Sequence, residues 1–139
     1  MKEILFRGKL KRDGEWVEGY YLKKEENKHY MVDKQEPFYS TPYFYEVIPE
    51  TVGQYTGLTD KNGKKIFEGD VVKKHSYIDY DNYANSEEYI GVVAFSDCAW
   101  TIETKKISHP IIIAISYTDD VKHFEIIGNI HDNPELKGE

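Results

Sequence analysis

The 139 residues are 40% apolar and 14% aromatic, enough for one ordinary domain with a core and too much for a disordered tail. The longest uninterrupted apolar run is Ile111–Ile115, far short of the roughly 18 residues that a membrane-spanning helix needs. A net charge of −7 disfavours non-specific binding of nucleic acid by the whole molecule.

In chain order, Ile4 to Leu10 alternates like a strand, Arg12-Asp13-Gly14 is a turn, and Trp16 to Leu22 is β-rich again. Asp-Gly between two such runs predicts a hairpin of residues 3–11 and 15–23, because the pair tolerates the backbone of a tight turn. His29-Tyr30-Met31-Val32 reads as a third strand entered through Asn27. Between Asp33 and Pro49, prolines 37, 42 and 49 fall among aromatic residues, which predicts a loop with a short strand near Phe44–Ile48. Its rings suit either a lid folded on the core or a recognition surface.

Val52–Thr59 reads as extended. Asn62-Gly63 is a second hairpin turn, and Glu68-Gly69-Asp70 a third, leading into a strand at Val71–Lys74. Residues 75–88 are polar, with tyrosines at 77, 80 and 83, and read as either an ordered long loop or the most mobile part of the molecule. Tyr89–Phe95 and Ala99–Thr104 form a hairpin about Ser96-Asp97, with Val93, Phe95, Trp100 and Ile102 expected to face the core. Ile107–Tyr117 is ambiguous between strand and other structure, since periodicity does not decide so short an apolar run. A last strand is expected at His123–Ile130, then a turn at Asp132-Asn133-Pro134 opening one helical turn.

Eight or more short strands with no sustained helical period predict an all-β, barrel-like antiparallel fold with little helix. The rhythm of the middle segment is that of an SH3-like unit. The chain reads as one domain over 1–139, divisible into a hairpin and aromatic-proline part (1–50) and a barrel-like part (51–139). Charge divides unevenly too. Residues 1–75 carry 14 Lys and Arg against 13 Asp and Glu, and residues 76–139 carry 4 against 12. The acidic second part is a solvating surface or a face for a basic partner.

Three runs are similar to one known family. They are Phe6-Arg7-Gly8-Lys9 with Gly14 to Tyr20, then Thr51 to Val72, and finally Ile126 to Leu136. In this order they resemble the YopX-type proteins of phages and prophages in Gram-positive bacteria. The resemblance implies an all-β, barrel-like, phage-encoded cytoplasmic protein, and it brings no catalytic residues to this chain.

Enzymatic signatures are sparse. The phosphate-loop, dinucleotide, zinc-protease and nucleophile-elbow patterns do not occur. The five histidines are never closer than eight residues, and a metal site of His123, His131 and an Asp needs a turn there, since adjacent strand residues point to opposite faces. Cys98 is the one cysteine, which rules out an internal disulfide and suits a reducing cytoplasm; the Met1–Arg7 start shows no signal-like apolar stretch. Cys98 follows the acidic Asp97 in a turn, a setting that argues against a nucleophilic thiolate. Asp60 and Asp70 read as turn caps rather than as an acid–base pair. No cofactor or metal is expected.

The leading expectation is a non-enzymatic binding module whose partner is a host or phage macromolecule, protein ahead of nucleic acid. Trp16, Tyr20, Tyr43, Tyr45 and Tyr55 are its expected exposed rings. For nucleic acid, Lys61, Lys64, Lys65, Lys73 and Lys74 near Tyr55 and Phe67 form the one basic cluster among stacking rings. The bland alternative is a hairpin edge whose lysines block edge-to-edge pairing. Self-assembly into a homo-oligomer is the second class, and a small metal-dependent hydrolase the third.

Overall fold

A computed structural model describes residues 3–33, 43–78, 85–96, 98–103, 112–114 and 124–137. Contacts divide the chain into two units, Met1–Gly57 and Leu58–Glu139. In the first, Asp13 and Gly14 turn the chain as their chemistry dictates. The Asp13 carboxylate accepts the Glu15 N–H at 3.0 Å, and the Gly14 N–H donates to the Leu10 carbonyl at 2.8 Å. The turn joins β1 (Phe6–Lys9) to β2 (Trp16–Glu25) with Phe6 opposite Gly19 and Lys9 opposite Trp16. β3 (Lys28–Asp33) returns antiparallel to β2, and β4 (Phe44–Glu46) returns along β3.

A 3-10 turn at Pro49–Thr51 leads into β5 (Gly53–Thr59), which pairs with β1 on its other side. An isolated bridge between Leu10 and Val47 ties the end of β1 to the end of β4. Alternation sends Met31, Val47 and Leu10 inward, where Phe6, Val17, Tyr21, Tyr45 and Val52 pack around them. Each such aliphatic side chain contributes roughly 1.5–3 kcal/mol by leaving water.

β5 crosses the boundary at Gly57/Leu58 and is hydrogen-bonded to β6 (Lys65–Phe67), the last strand in the order β4-β3-β2-β1-β5-β6. The second sheet is ordered β10-β9-β8-β7-β11, made of β7 (Asp70–Ile78), β8 (Asn85–Ser96), β9 (Ala99–Glu103), β10 (Ile112–Ala114) and β11 (Phe124–Asn129). Ile66, Val72, Val93, Ile102 and Phe124 form its core. Gly69 makes the turn into β7 at a φ of +91°, a region that side chains with a Cβ rarely occupy. Its N–H reaches the Val93 carbonyl at 2.9 Å, and its own carbonyl accepts the Ile130 N–H at 3.0 Å.

The all-β reading holds, and two expectations change in detail. Residues 75–88 are not simply a loop: β7 continues to Ile78 and pairs with β8 from Asn85, His75 opposite Glu88 and Tyr77 opposite Ser86. Polar composition concealed this hairpin arm, since it offers no alternation of apolar residues from which to read strands. Phe95 does not face the core. It is 56% exposed near the hairpin tip, its ring set edge-on to Trp100 at 5.2 Å, while Val93 and Ile102 are buried as expected. The segment read as an SH3-like unit comprises β6 in the first sheet and β7 to β9 in the second. From Ile107–Tyr117 only Ile112–Ala114 is described, as a strand paired with β9; the rest lies outside the described residues.

Asp60 holds the second unit at its folding-back point. Its Oδ1 accepts the N–H groups of Asn62 and Lys64, both at 2.9 Å, and its Oδ2 accepts that of Ile126 at 3.1 Å. The residue is only 5% exposed. Asp60→Ala is expected to lower stability by about 2–4 kcal/mol, since it leaves three N–H groups without their charged acceptor. Asp60→Asn keeps one acceptor oxygen and should cost less. Urea titration of both variants checks the order; equal stability of Asp60→Ala and wild type would refute the assignment.

Candidate interaction surface

Of the nine residues expected to bind a partner, Tyr43, Tyr45 and Tyr55 belong to the first unit, and Phe67 and the five lysines to the second. Lys61 is paired with Glu125, Nζ to Oε2 at 3.2 Å, and Lys73 stands directly opposite the same Glu125 across β7 and β11. An acid therefore sits between two of the five lysines. Lys64 is exposed and Lys65 half-buried, while Lys74 is placed by register alone, opposite Phe124 on β11 and Tyr89 on β8. Phe67 and Tyr55 are 2% and 7% exposed, so neither ring offers a face on which a base stacks. Sequence could not show this, because lysine-flanked rings read alike on either side of a strand. Tyr43 is 60% exposed, its ring 6.4 Å from that of Tyr45, whose own ring packs against the Met31 core.

The polar residues considered for chemistry are engaged structurally. Asp70 is 1% exposed and its Oδ2 accepts the Phe67 N–H at 2.8 Å, closing the Glu68-Gly69 turn. His131 and Asp132 do lie in a turn, as chelation would require. Asn129 organises it: Oδ1 accepts the N–H groups of both His131 and Asp132 at 3.0 and 2.9 Å, and Nδ2 donates to the Asp132 carboxylate at 3.0 Å. His131 Nε2 lies 3.5 Å from where a Gly69 Cβ would stand, so the ring covers that glycine. His123 and His109 lie outside the described residues. Among the described residues, no group of three or more His, Cys, Asp or Glu is placed to hold a metal ion. Cys98 is exposed at the β8–β9 hairpin tip with φ +64°.

The sequence reading named Trp16 and Tyr20 as exposed rings but missed the residues that join them on the outer face of the first sheet. With Val17 and Tyr21 facing the core, alternation puts Trp16, Glu18, Tyr20 and Leu22 of β2 outward. Register places Val32 beside Tyr20 and Tyr30 beside Leu22 on β3, then Phe44 beside Val32 on β4. Tyr20, Leu22 and Phe44 are 54%, 44% and 52% exposed, and the Tyr30 and Phe44 rings meet edge-on at 6.3 Å. Three adjacent strands thus present one aromatic and aliphatic patch. Towards β1 the same face carries Arg7 and Lys9 beside Glu18, the Arg7 guanidinium lying 4.7 Å and the Lys9 ammonium 5.4 Å from the Trp16 ring centre. Cations over an indole face are held by the ring quadrupole, which pre-orders all three side chains.

The family model described as "YopX protein" matches residues 5–136. The chain is similar to that in the crystal structure of protein EF1440 from Enterococcus faecalis, with a TM-score of 0.57 and 24% identity. That likeness covers 98% of this chain and 99% of that one, and it shows the fold alone. A comparison with curated proteins finds no match.

Burial also makes the first unit sensitive to alkali. Desolvation, with the Glu3 charge second, pushes the Tyr55 hydroxyl above the usual tyrosine range, and desolvation alone does so for Tyr21. A raised native pKa means that the folded state keeps the proton longer than the unfolded chain. The stabilisation is therefore complete below about pH 10 and is lost as pH rises through the native value. Urea midpoints are expected to fall above about pH 10, and Tyr55→Phe should flatten that fall; identical alkaline slopes would refute it.

Proposed function

This chain belongs to the YopX family, and we propose that it is a non-enzymatic interaction module of a phage or prophage, holding a protein partner in the host cytoplasm. The observation that supports this reading is the outer face of the first sheet. Antiparallel sheets that meet water normally carry polar residues on that side. Here β2, β3 and β4 carry Tyr20, Leu22, Tyr30, Val32 and Phe44 in register, with Tyr20, Leu22 and Phe44 well exposed. Contiguous exposed apolar surface rimmed by charge favours a protein partner, and Tyr and Trp anchors supply large contact area at low entropic cost. A protein fits better than nucleic acid: the net charge is −7, and the rings expected to stack beside the lysines are buried. No helix among the described residues is long and apolar enough to cross a membrane.

The test is affinity capture from host lysate with wild type and with a Tyr20→Ser, Leu22→Ser variant. Both positions point outward, so the variant should keep its stability within about 0.5 kcal/mol per site. Retention of a specific partner should drop at least about tenfold, as expected when two anchors of an interface are truncated. Capture of the same proteins at the same yield by both forms would sink the reading.

A further inference from the structure

β4 is the end strand of the first sheet, and its register shows which of its peptide groups β3 leaves open. The Val47 N–H donates to the His29 carbonyl at 2.9 Å, so hydrogen-bonded pairs fall at Val47/His29 and, by alternation, at Tyr45/Met31. Phe44 and Glu46 therefore direct their peptide groups away from β3. Glu46 uses that side: its carbonyl accepts the Lys11 N–H at 3.0 Å, beside the Leu10–Val47 bridge. Beyond Lys11 the chain leaves through the Asp13-Gly14 turn. At that point Phe44 looks onto a cleft of about 380 Å³ lined by Leu10, Lys11, Arg12, Phe44, Tyr45 and Glu46.

We propose that this cleft takes an extended acidic segment of a partner protein, added to β4 as a further strand through the Phe44 peptide group. The inference rests on the binding-module reading above and commits it to a mode of recognition. An open strand edge is a template for another chain, because its unpaired N–H and C=O groups gain partners there. Charge selects the occupant. The Lys11 and Arg12 side chains are 63% and 72% exposed, and their present partners, Glu46 at 3.2 Å and Asp13 at 3.4 Å, are exposed carboxylates. Such pairs hold weakly and exchange readily for an incoming carboxylate. Leu10 and Tyr45 give the cleft an apolar floor for alternate side chains of the strand.

The full chain, isotopically labelled, is titrated by NMR with a short synthetic peptide of alternating glutamate and valine, and with its lysine-for-glutamate counterpart. The Phe44 and Lys11 amides should shift saturably with the acidic peptide only. Lys11→Gln with Arg12→Gln should weaken binding about three- to tenfold, the yield of two exposed ion pairs. Phe44→Pro, which removes an outward N–H that an edge strand does not need, should bind about fivefold more weakly than Phe44→Ala. If the proline variant does not fold, the glutamine pair alone carries the test. Absent shifts, equal binding of the basic peptide, shifts elsewhere, or dimerisation through β4 would each overturn the proposal. Its failure is separable from that of the proposed function. Capture that stays sensitive to Tyr20 and Leu22 while the peptide does not bind removes the edge and keeps the face; peptide binding with insensitive capture does the reverse.

Discussion

One buried carboxylate joins two stretches of chain that are 66 residues apart. Through Oδ1, Asp60 closes the turn between β5 and β6; through Oδ2, it takes the N–H of Ile126 on β11. The neighbouring Lys61 N–H donates to the Phe124 carbonyl at 2.9 Å, so the turn supplies partners to both kinds of peptide group on that side of β11. β11 pairs with β7 on its other side. A strand at the end of a sheet is otherwise an open template, and here a loop covers it. The geometry needs an acid. An ionised carboxylate offers acceptors in two directions and no competing donor, and with three charge-assisted bonds its burial is affordable. Phe124, fully buried in the second core, depends on β11 staying where this loop holds it.

The same logic accounts for the runs that carry the family likeness. In Asp60 to Val72, Asn62-Gly63 makes the turn, Ile66 and Phe67 go inward, and Asp70 closes the next turn around Gly69. In Ile126 to Leu136, a Cβ on Gly128 would stand 2.5 Å from Asn133 Oδ1, so only glycine leaves room for that side chain. Asn133 Oδ1 accepts the Asn129 N–H at 3.3 Å, and Pro134–Lys137 forms the short closing 3-10 turn. These motifs hold the chain's corners. They identify the family through its fold, and for that reason they point to no chemistry.

Much of this was legible in the sequence because turn chemistry is local. Asp13-Gly14, Asn62-Gly63 and Glu68-Gly69 each announce a turn that the structure contains, and β1, β2, β3, β5, β9 and β11 lie where alternation between those turns puts them. What was not legible depends on facing. Phe67 shares a face with Lys65 by alternation, and its 2% exposure is set by tertiary packing that no residue near it encodes. Phe95 obeys the alternation of its strand yet is exposed near the hairpin tip, which the spacing of apolar residues does not encode. The acid among the lysines around Lys61 was hidden for a related reason. The lysines were read from spacing alone, and Glu125, which sits between Lys61 and Lys73, comes from sixty residues further on.

The outer face did leave a trace in the sequence. Gly19-Tyr20-Tyr21-Leu22 is apolar at both parities, although a strand with one wet face should alternate. Such a strand is either covered on both sides by its own chain or carries apolar surface that something else must cover. Tyr21 takes the inward position, against Phe6 and His29, and Tyr20 and Leu22 stay outside with nearly half or more of their surface in water. The second possibility is therefore the one realised. Packing alone could be served by serine or threonine at these outward positions, as it is at most such positions on a solvated sheet. Large side chains that gain little from the fold are best accounted for by what they contact beyond it, which is why function is sought on this face rather than among the buried aspartates that hold the corners.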